Sequence, residues 1–128
     1  MARPFRFLSV EDVLAIHADT VANEGGSAGL RDPGLLDAAV FMPRQQFEGQ
    51  YLHTDLSAMA SAYLFHIAAN HPFIDGNKRA AVLAALVFLD VNGCAALPEP
   101  RELEGVTIAV ASGAMTKDAL TTWMRSKL

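Results

Sequence analysis

Two apolar, alanine-rich segments, about Asp55 to Asn70 and Asn77 to Val91, are separated by the polar hexad His71-Pro72-Phe73-Ile74-Asp75-Gly76. Neither segment has interior glycine or proline, and apolar residues occur on nearly every side, which predicts two buried helices at the centre of the fold. A pair of core helices needs no such connection. Pro72 disfavours helix at His71, and Gly76 permits backbone conformations costly for other residues, so the hexad reads as a constrained loop leading onto a helix that starts near Asn77.

The flanking segments carry ordinary helix punctuation. Ser9 with Asp12 forms an approximate capping box, and Val10, Val13, Leu14, Ile16 and Val21 recur at helical spacing up to Glu24, where Gly25-Gly26 stops the run. Asp32-Pro33 is an N-cap followed by proline at the first helical position, opening a short helix that Pro43 ends. Arg44 to Thr54 has no clear period and reads as an ordered loop or small hairpin. Asn92-Gly93 stops the second central helix, and Pro98 and Pro100 mark a connection. Arg101 to Ser112 then resumes helical spacing up to Gly113, and Thr116 caps a last helix to Lys127. Leu103, Val106, Ile108 and Val110 alternate as a short strand would, but the flanking charges and the glycine stop favour helix. The expectation is an all-α fold, a single compact domain over residues 1–128 with about six helices around the two buried ones.

Composition narrows the function classes. With 52% hydrophobic residues, one cysteine and ten basic against fourteen acidic residues, the chain is neither disordered, nor a disulfide scaffold, nor a basic nucleic-acid binder. The longest apolar run, Ala80 to Leu89, is too short to span a bilayer. No apolar leader precedes Phe7, so a cytoplasmic location is expected, without membrane or direct nucleic-acid partners. Cys94 has no histidine near it in sequence and reads as a small half-buried residue rather than a catalytic thiol.

The hexad and the three residues after it carry the chemistry. A helix start exposes unpaired N–H groups and partial positive charge, and Lys78 and Arg79 add full charge there, against the helix dipole. That arrangement suits a bound anion, most naturally a phosphate. His71 is a candidate general base and Asp75 a candidate Mg²⁺ ligand; Gly76, Asn77, Lys78 and Arg79 are candidate phosphate or nucleotide contacts. Asn77 can instead shape the loop, Asp75 can cap the helix, and Phe73 and Ile74 are expected to anchor the loop in the core. Base, metal ligand and phosphate clamp in one short stretch suit phosphoryl or nucleotidyl transfer to a hydroxyl.

The run His-Pro-Phe-Ile-Asp-Gly-Asn-Lys-Arg resembles the signature of the Fic/Doc superfamily, and specifically its death-on-curing (Doc) branch of toxin–antitoxin toxins. Phe7-Leu8, Glu11-Asp12-Val13, Ile16-His17, Gly25-Gly26, Gly29 to Leu36, Pro43-Arg44-Gln45 and Leu86 to Gly93 are similar to Doc landmarks in the same order. The resemblance implies an ATP- and Mg²⁺-dependent enzyme. Fic enzymes transfer AMP to a protein hydroxyl, with glycine at the position of Lys78 and a second arginine at that of Val82. Doc proteins carry lysine at the former place and pass the γ-phosphate to a threonine of elongation factor Tu, arresting translation. This chain follows Doc at both positions, which implies kinase chemistry, with His71 as base, Asp75 on the metal and Asn77, Lys78 and Arg79 on phosphates. Ala80 departs from the threonine frequent in Doc-like chains. Arg44, Gln45 and Gln46 fall where a flap aligns the target chain, so they are possible target contacts, with plain surface polarity as the alternative. The partner implied is a small antitoxin, Phd-like or other.

Other residues suggest less. His66 suits a satisfied helix histidine, since the adjacent His-Asp pair of a metal-dependent phosphohydrolase is absent; His17 and His53 show only surface or loop polarity, and Trp123 suits a core or partner-facing aromatic. Thr20 to Gly25 fits the inhibitory-helix pattern of many Fic enzymes, whose glutamate pairs with the second arginine. That partner is Val82 here, so Glu24 is read as a helix-end residue. Two readings compete with the kinase: an AMP transferase, and a catalytically silent nucleotide-pocket module acting through an antitoxin complex.

Overall fold

In the computed structural model, residues 4–128 are described, and the packing is organised by alanine. Helices α1 (Val10–Glu24), α2 (Pro33–Phe41), α3 (Leu56–Asn70), α4 (Asn77–Val91), α5 (Pro100–Ala111) and α6 (Lys117–Lys127) follow one another, with a 3₁₀ turn over Met42–Arg44 and a two-stranded ribbon before α3. Ala60, Ala62 and Ala68 of α3 and Ala80, Ala81, Ala84 and Ala85 of α4 are fully buried. Such small side chains let two helix backbones approach closely. Around this pair α1 packs on α4, α2 and α6 on α3, and α5 on both. Tyr63, Met59 and Leu64 from α3 and Phe88 and Leu89 from α4 fill the remaining core. The all-α expectation with two central buried helices agrees with this arrangement. No helix of the described residues is long and apolar enough to cross a membrane.

The helix ends follow from local chemistry. Ser9 Oγ accepts from Asp12 N at 3.1 Å while Asp12 Oδ2 accepts from Ser9 N at 2.8 Å, completing the capping box of α1. Asp32, Asp55 and Thr116 cap α2, α3 and α6 through the same kind of side-chain acceptor. Pro100 opens α5 rather than belonging to the connection, because proline fits the first helical position, where no N–H is needed. The segment over Leu103 to Val110 is helix, not strand. The ribbon pairs β1 (Gln46–Phe47) with β2 (Gln50–Tyr51), Gln46 opposite Tyr51 and Phe47 opposite Gln50. Glu48 and Gly49 connect them with φ of 52° and 77°, the two positive values that suit a tight two-residue hairpin turn.

The N-terminal segment is tied down by Tyr63, whose hydroxyl accepts from Leu8 N at 2.8 Å; burial pushes this phenol up to about 12. Helix α6 is latched to α3 differently. Lys117 Nζ lies 3.0 Å from His66 Nε2, so the lysine donates and the ring nitrogen accepts, which makes His66 the satisfied helix histidine its position suggested. Burial pushes His66 down to about 4, helped by the charges of Lys117 and then His53. Unfolding returns it to about 6.5, so between pH 6.5 and 4 the unfolded chain binds more protons than the native one. Stability is therefore expected to fall as pH drops through that window. The ring is only partly buried, and with solvent screening allowed for the loss is about 1–2 kcal/mol. Thermal melts at pH 7 and pH 4.5 would register this loss, and His66→Gln should flatten it.

Candidate active site

The loop between α3 and α4 is built by contacts from three directions. His71 follows the last turn of α3 in the left-handed conformation, with φ 49° and ψ 56°. A proline after it excludes continued helix, and the chain turns there instead. The segment Gly29 to Asp32 lies antiparallel to the loop: Ile74 N donates to Gly29 O at 3.2 Å, Leu30 bridges Phe73, and Arg31 N and Asp32 N both donate to Pro72 O, at 2.8 and 3.0 Å. Phe73 itself is buried, as expected of an anchor, whereas Ile74 is 59% exposed and anchors nothing in the core.

From below, the buried Asn77 side chain holds Phe73 twice. Its Oδ1 accepts from Phe73 N and its Nδ2 donates to Phe73 O, both at 2.9 Å. The side-chain amide is thus committed to shaping the loop, the second of the two roles its chemistry allowed. Any phosphate contact from this residue falls to its main-chain N–H.

From α1, the buried His17 ring stacks on Phe73 at 3.7 Å and 3° between planes. Its Nε2 donates to Asp75 O at 2.7 Å. His17 is therefore interior, not surface polarity. Its spacing from Val13 and Thr20 on the buried face of α1 was the available signal.

The expected catalytic groups gather at the α4 start. His71, Asp75, Lys78 and Arg79 are exposed, and no hydrogen bond engages the His71 ring among the described residues. Asp75 Oδ1 accepts from Gly76 N at 2.9 Å and Oδ2 from Ser27 N at 3.3 Å, so the carboxylate is oriented while keeping lone pairs open. Gly26 makes room for it, since a Cβ there would lie 2.8 Å from Asp75 Oδ2. No group of three or more His, Cys, Asp or Glu that could hold a metal occurs among the described residues. A single oriented carboxylate nevertheless fits Mg²⁺, which is commonly bound by one or two carboxylates together with substrate phosphates.

Gly76, left-handed at φ 78°, precedes α4 without a side-chain cap. Among the described residues no side chain accepts from the first main-chain N–H groups of α4, and the positive end of the helix dipole faces the turn. Lys78 has no carboxylate at ion-pair distance among the described residues.

Arg79 is held otherwise than expected. Its Nε lies 3.0 Å from Glu24 Oε2 and its Nη1 3.0 Å from Glu104 Oε1. Glu24 is thus more than a helix-end residue: with Val82 apolar and buried, it pairs with the arginine one turn earlier. Two of the five guanidinium N–H groups are taken, and two carboxylates offset the charge. Beside it a pocket of about 170 Å³ is lined by Lys78, Arg79, Val82, Glu104, Thr107 and Ile108.

The remaining candidates lie elsewhere. Arg44 places its guanidinium 5.6 Å above the Phe7 ring, Gln45 N donates to Met42 O, and Gln46 belongs to the ribbon. No hydrogen bond or ion pair among the described residues joins these three to the turn over 71–79.

A family model described as the Fic/DOC family matches residues 7–89, which takes in α1 through most of α4 and the whole loop. The chain belongs to the Fic/DOC family. Over 120 residues, 94% of each chain, it is 32% identical to a protein of Escherichia phage P1 named "Protein kinase doc". Over 87 residues, 68% of this chain and 65% of the relative, it is 45% identical to "Toxin Doc" of Mycolicibacterium smegmatis. The matched span contains His71, Asp75, Lys78 and Arg79 of the loop and helix start just described, and Val82 one turn further along α4.

Proposed function

We propose that residues 1–128 act as one domain, the kinase toxin of a toxin–antitoxin pair, which transfers the γ-phosphate of ATP to a threonine hydroxyl of a translation factor similar to elongation factor Tu. The observation that carries this reading is an exposed, unengaged His71 held in the same turn as an oriented Asp75 and the capless, lysine-bearing start of α4. The phage relative's name, a protein kinase, supports phosphoryl transfer for a chain aligned over nearly its whole length.

In this reading the N–H groups of the first α4 turn and Lys78 bind phosphate oxygens, with Gly76 and Asn77 contributing main chain. Arg79 joins through the N–H groups its carboxylates leave open. Asp75 would hold Mg²⁺ together with those oxygens, which screens their charge. His71 takes the threonine proton as the hydroxyl oxygen bonds to the γ-phosphorus, the bond to the bridging β,γ oxygen breaks, and ADP leaves. Arg44, Gln45 and Gln46, on the ribbon side, are assigned to the target chain. A small antitoxin, Phd-like or other, is the controlling partner, and the cytoplasm, where translation factors are found, is the place of action.

The test is transfer of label. With Mg²⁺ and purified elongation factor Tu, γ-labelled ATP is expected to label a threonine of the factor, and α-labelled ATP is not. Label from the α position would establish AMP transfer instead. Growth arrest without label from either position, unchanged by loss of His71, would establish a silent binding module.

A further inference from the structure

Arg31 touches three successive carbonyls around His71. Its Nε donates to His71 O at 2.6 Å, its Nη2 to Asn70 O at 2.8 Å, and its main-chain N–H to Pro72 O at 2.8 Å. No carboxylate lies at ion-pair distance from it among the described residues, so its charge faces the carbonyl end of α3. Those carbonyls have no partners within the helix, and a cation there is favoured by the dipole.

The geometry has a specific consequence for His71. Its φ and ψ are set by the two peptide planes on either side of its Cα, those carrying the Asn70 and His71 carbonyls. The guanidinium fork grips both planes. A left-handed conformation is disfavoured for a residue with a side chain, and helix ends of this shape usually carry glycine. Two charge-assisted bonds from a planar fork are sufficient to offset that cost.

We infer that Arg31 is a positioning residue for the base: its fork fixes the direction of the His71 Cα–Cβ bond and so the region the imidazole can reach. This rests on the phosphotransfer reading for its kinetic consequence, though not for its structural one. Lysine cannot replace it, because a single ammonium does not span two carbonyls as a planar fork does.

The test uses Arg31→Lys and Arg31→Ala in the full chain. Both are expected to lower kcat for threonine labelling by about 10- to 100-fold, the scale of a misplaced catalytic group. KM for ATP should change less than about twofold, because Asp75, Lys78 and the α4 start are untouched. In the nucleotide-free protein, the ¹³Cα and ¹³Cβ shifts of His71, which report φ and ψ, should leave left-handed values in both variants. Arg31→Lys with wild-type kcat, or His71 shifts unchanged in Arg31→Ala, would overturn the inference. So would a parallel fall of kcat and ATP affinity that tracks lost folding. If the wild-type chain labels nothing, the phosphotransfer reading fails, while the His71 shifts still decide whether the fork sets the backbone.

Discussion

His71→Ala is expected to reduce threonine labelling by about 10²- to 10⁴-fold, the usual contribution of a positioned general base, and to abolish growth arrest on expression. ATP binding should persist, because the imidazole makes no hydrogen bond among the described residues and the proposed phosphate donors belong to α4. Alanine is less tolerant than histidine of the left-handed conformation at this position, so a backbone shift could mimic a chemical loss. Asparagine separates the two effects, since it adopts that conformation readily yet cannot take a proton at neutral pH. His71→Asn should therefore melt like the wild type and be as inactive as His71→Ala. Labelling by His71→Asn within tenfold of wild type would remove His71 from the chemistry.

How much of this site was legible depends on the range of the interactions that build it. The capping of α1 by Ser9 and Asp12, the Asp32-Pro33 start of α2 and the stop after α4 are written in neighbouring residues, and the structure repeats them. The end of α3 at His71 follows from Pro72 for the same reason, but the left-handed conformation there does not, since a following proline by itself favours extended backbone. Pro100 suggests a connection in the sequence but opens α5 in the structure, because proline serves at a first helical position as well as in a connection. The strand-like clamp of Gly29 to Asp32 on Pro72 to Ile74 joins segments some forty positions apart, and no local pattern announces it. The partners of Arg79 are hidden in the same way. Its charge was plain in the sequence, but Glu24 and Glu104 reach it from α1 and α5, so only the packing of those helices on α4 shows how far the charge is offset.

Asn77→Ala is expected to be the most destabilising single change at the site. The residue is buried and meets both main-chain polar groups of Phe73, itself 1% exposed and stacked on His17. Alanine leaves a buried N–H and a buried C=O without partners, at about 1–3 kcal/mol each, so a loss of about 2–6 kcal/mol follows. Against a total of about 5–15 kcal/mol for a domain, that is a large share, and the melting temperature should fall by roughly 10 °C. The same variant separates the two roles open to this side chain. If the amide shapes the loop, nucleotide affinity of the folded fraction below the transition should change little more than threefold, while kcat falls as Phe73 and the neighbouring His71 and Asp75 lose their register. If the amide were a phosphate ligand, the affinity would drop at least tenfold with the melting temperature nearly unchanged. Calorimetric melting beside nucleotide titration of one protein preparation distinguishes them, and the paired 2.9 Å bonds to Phe73 predict the first outcome.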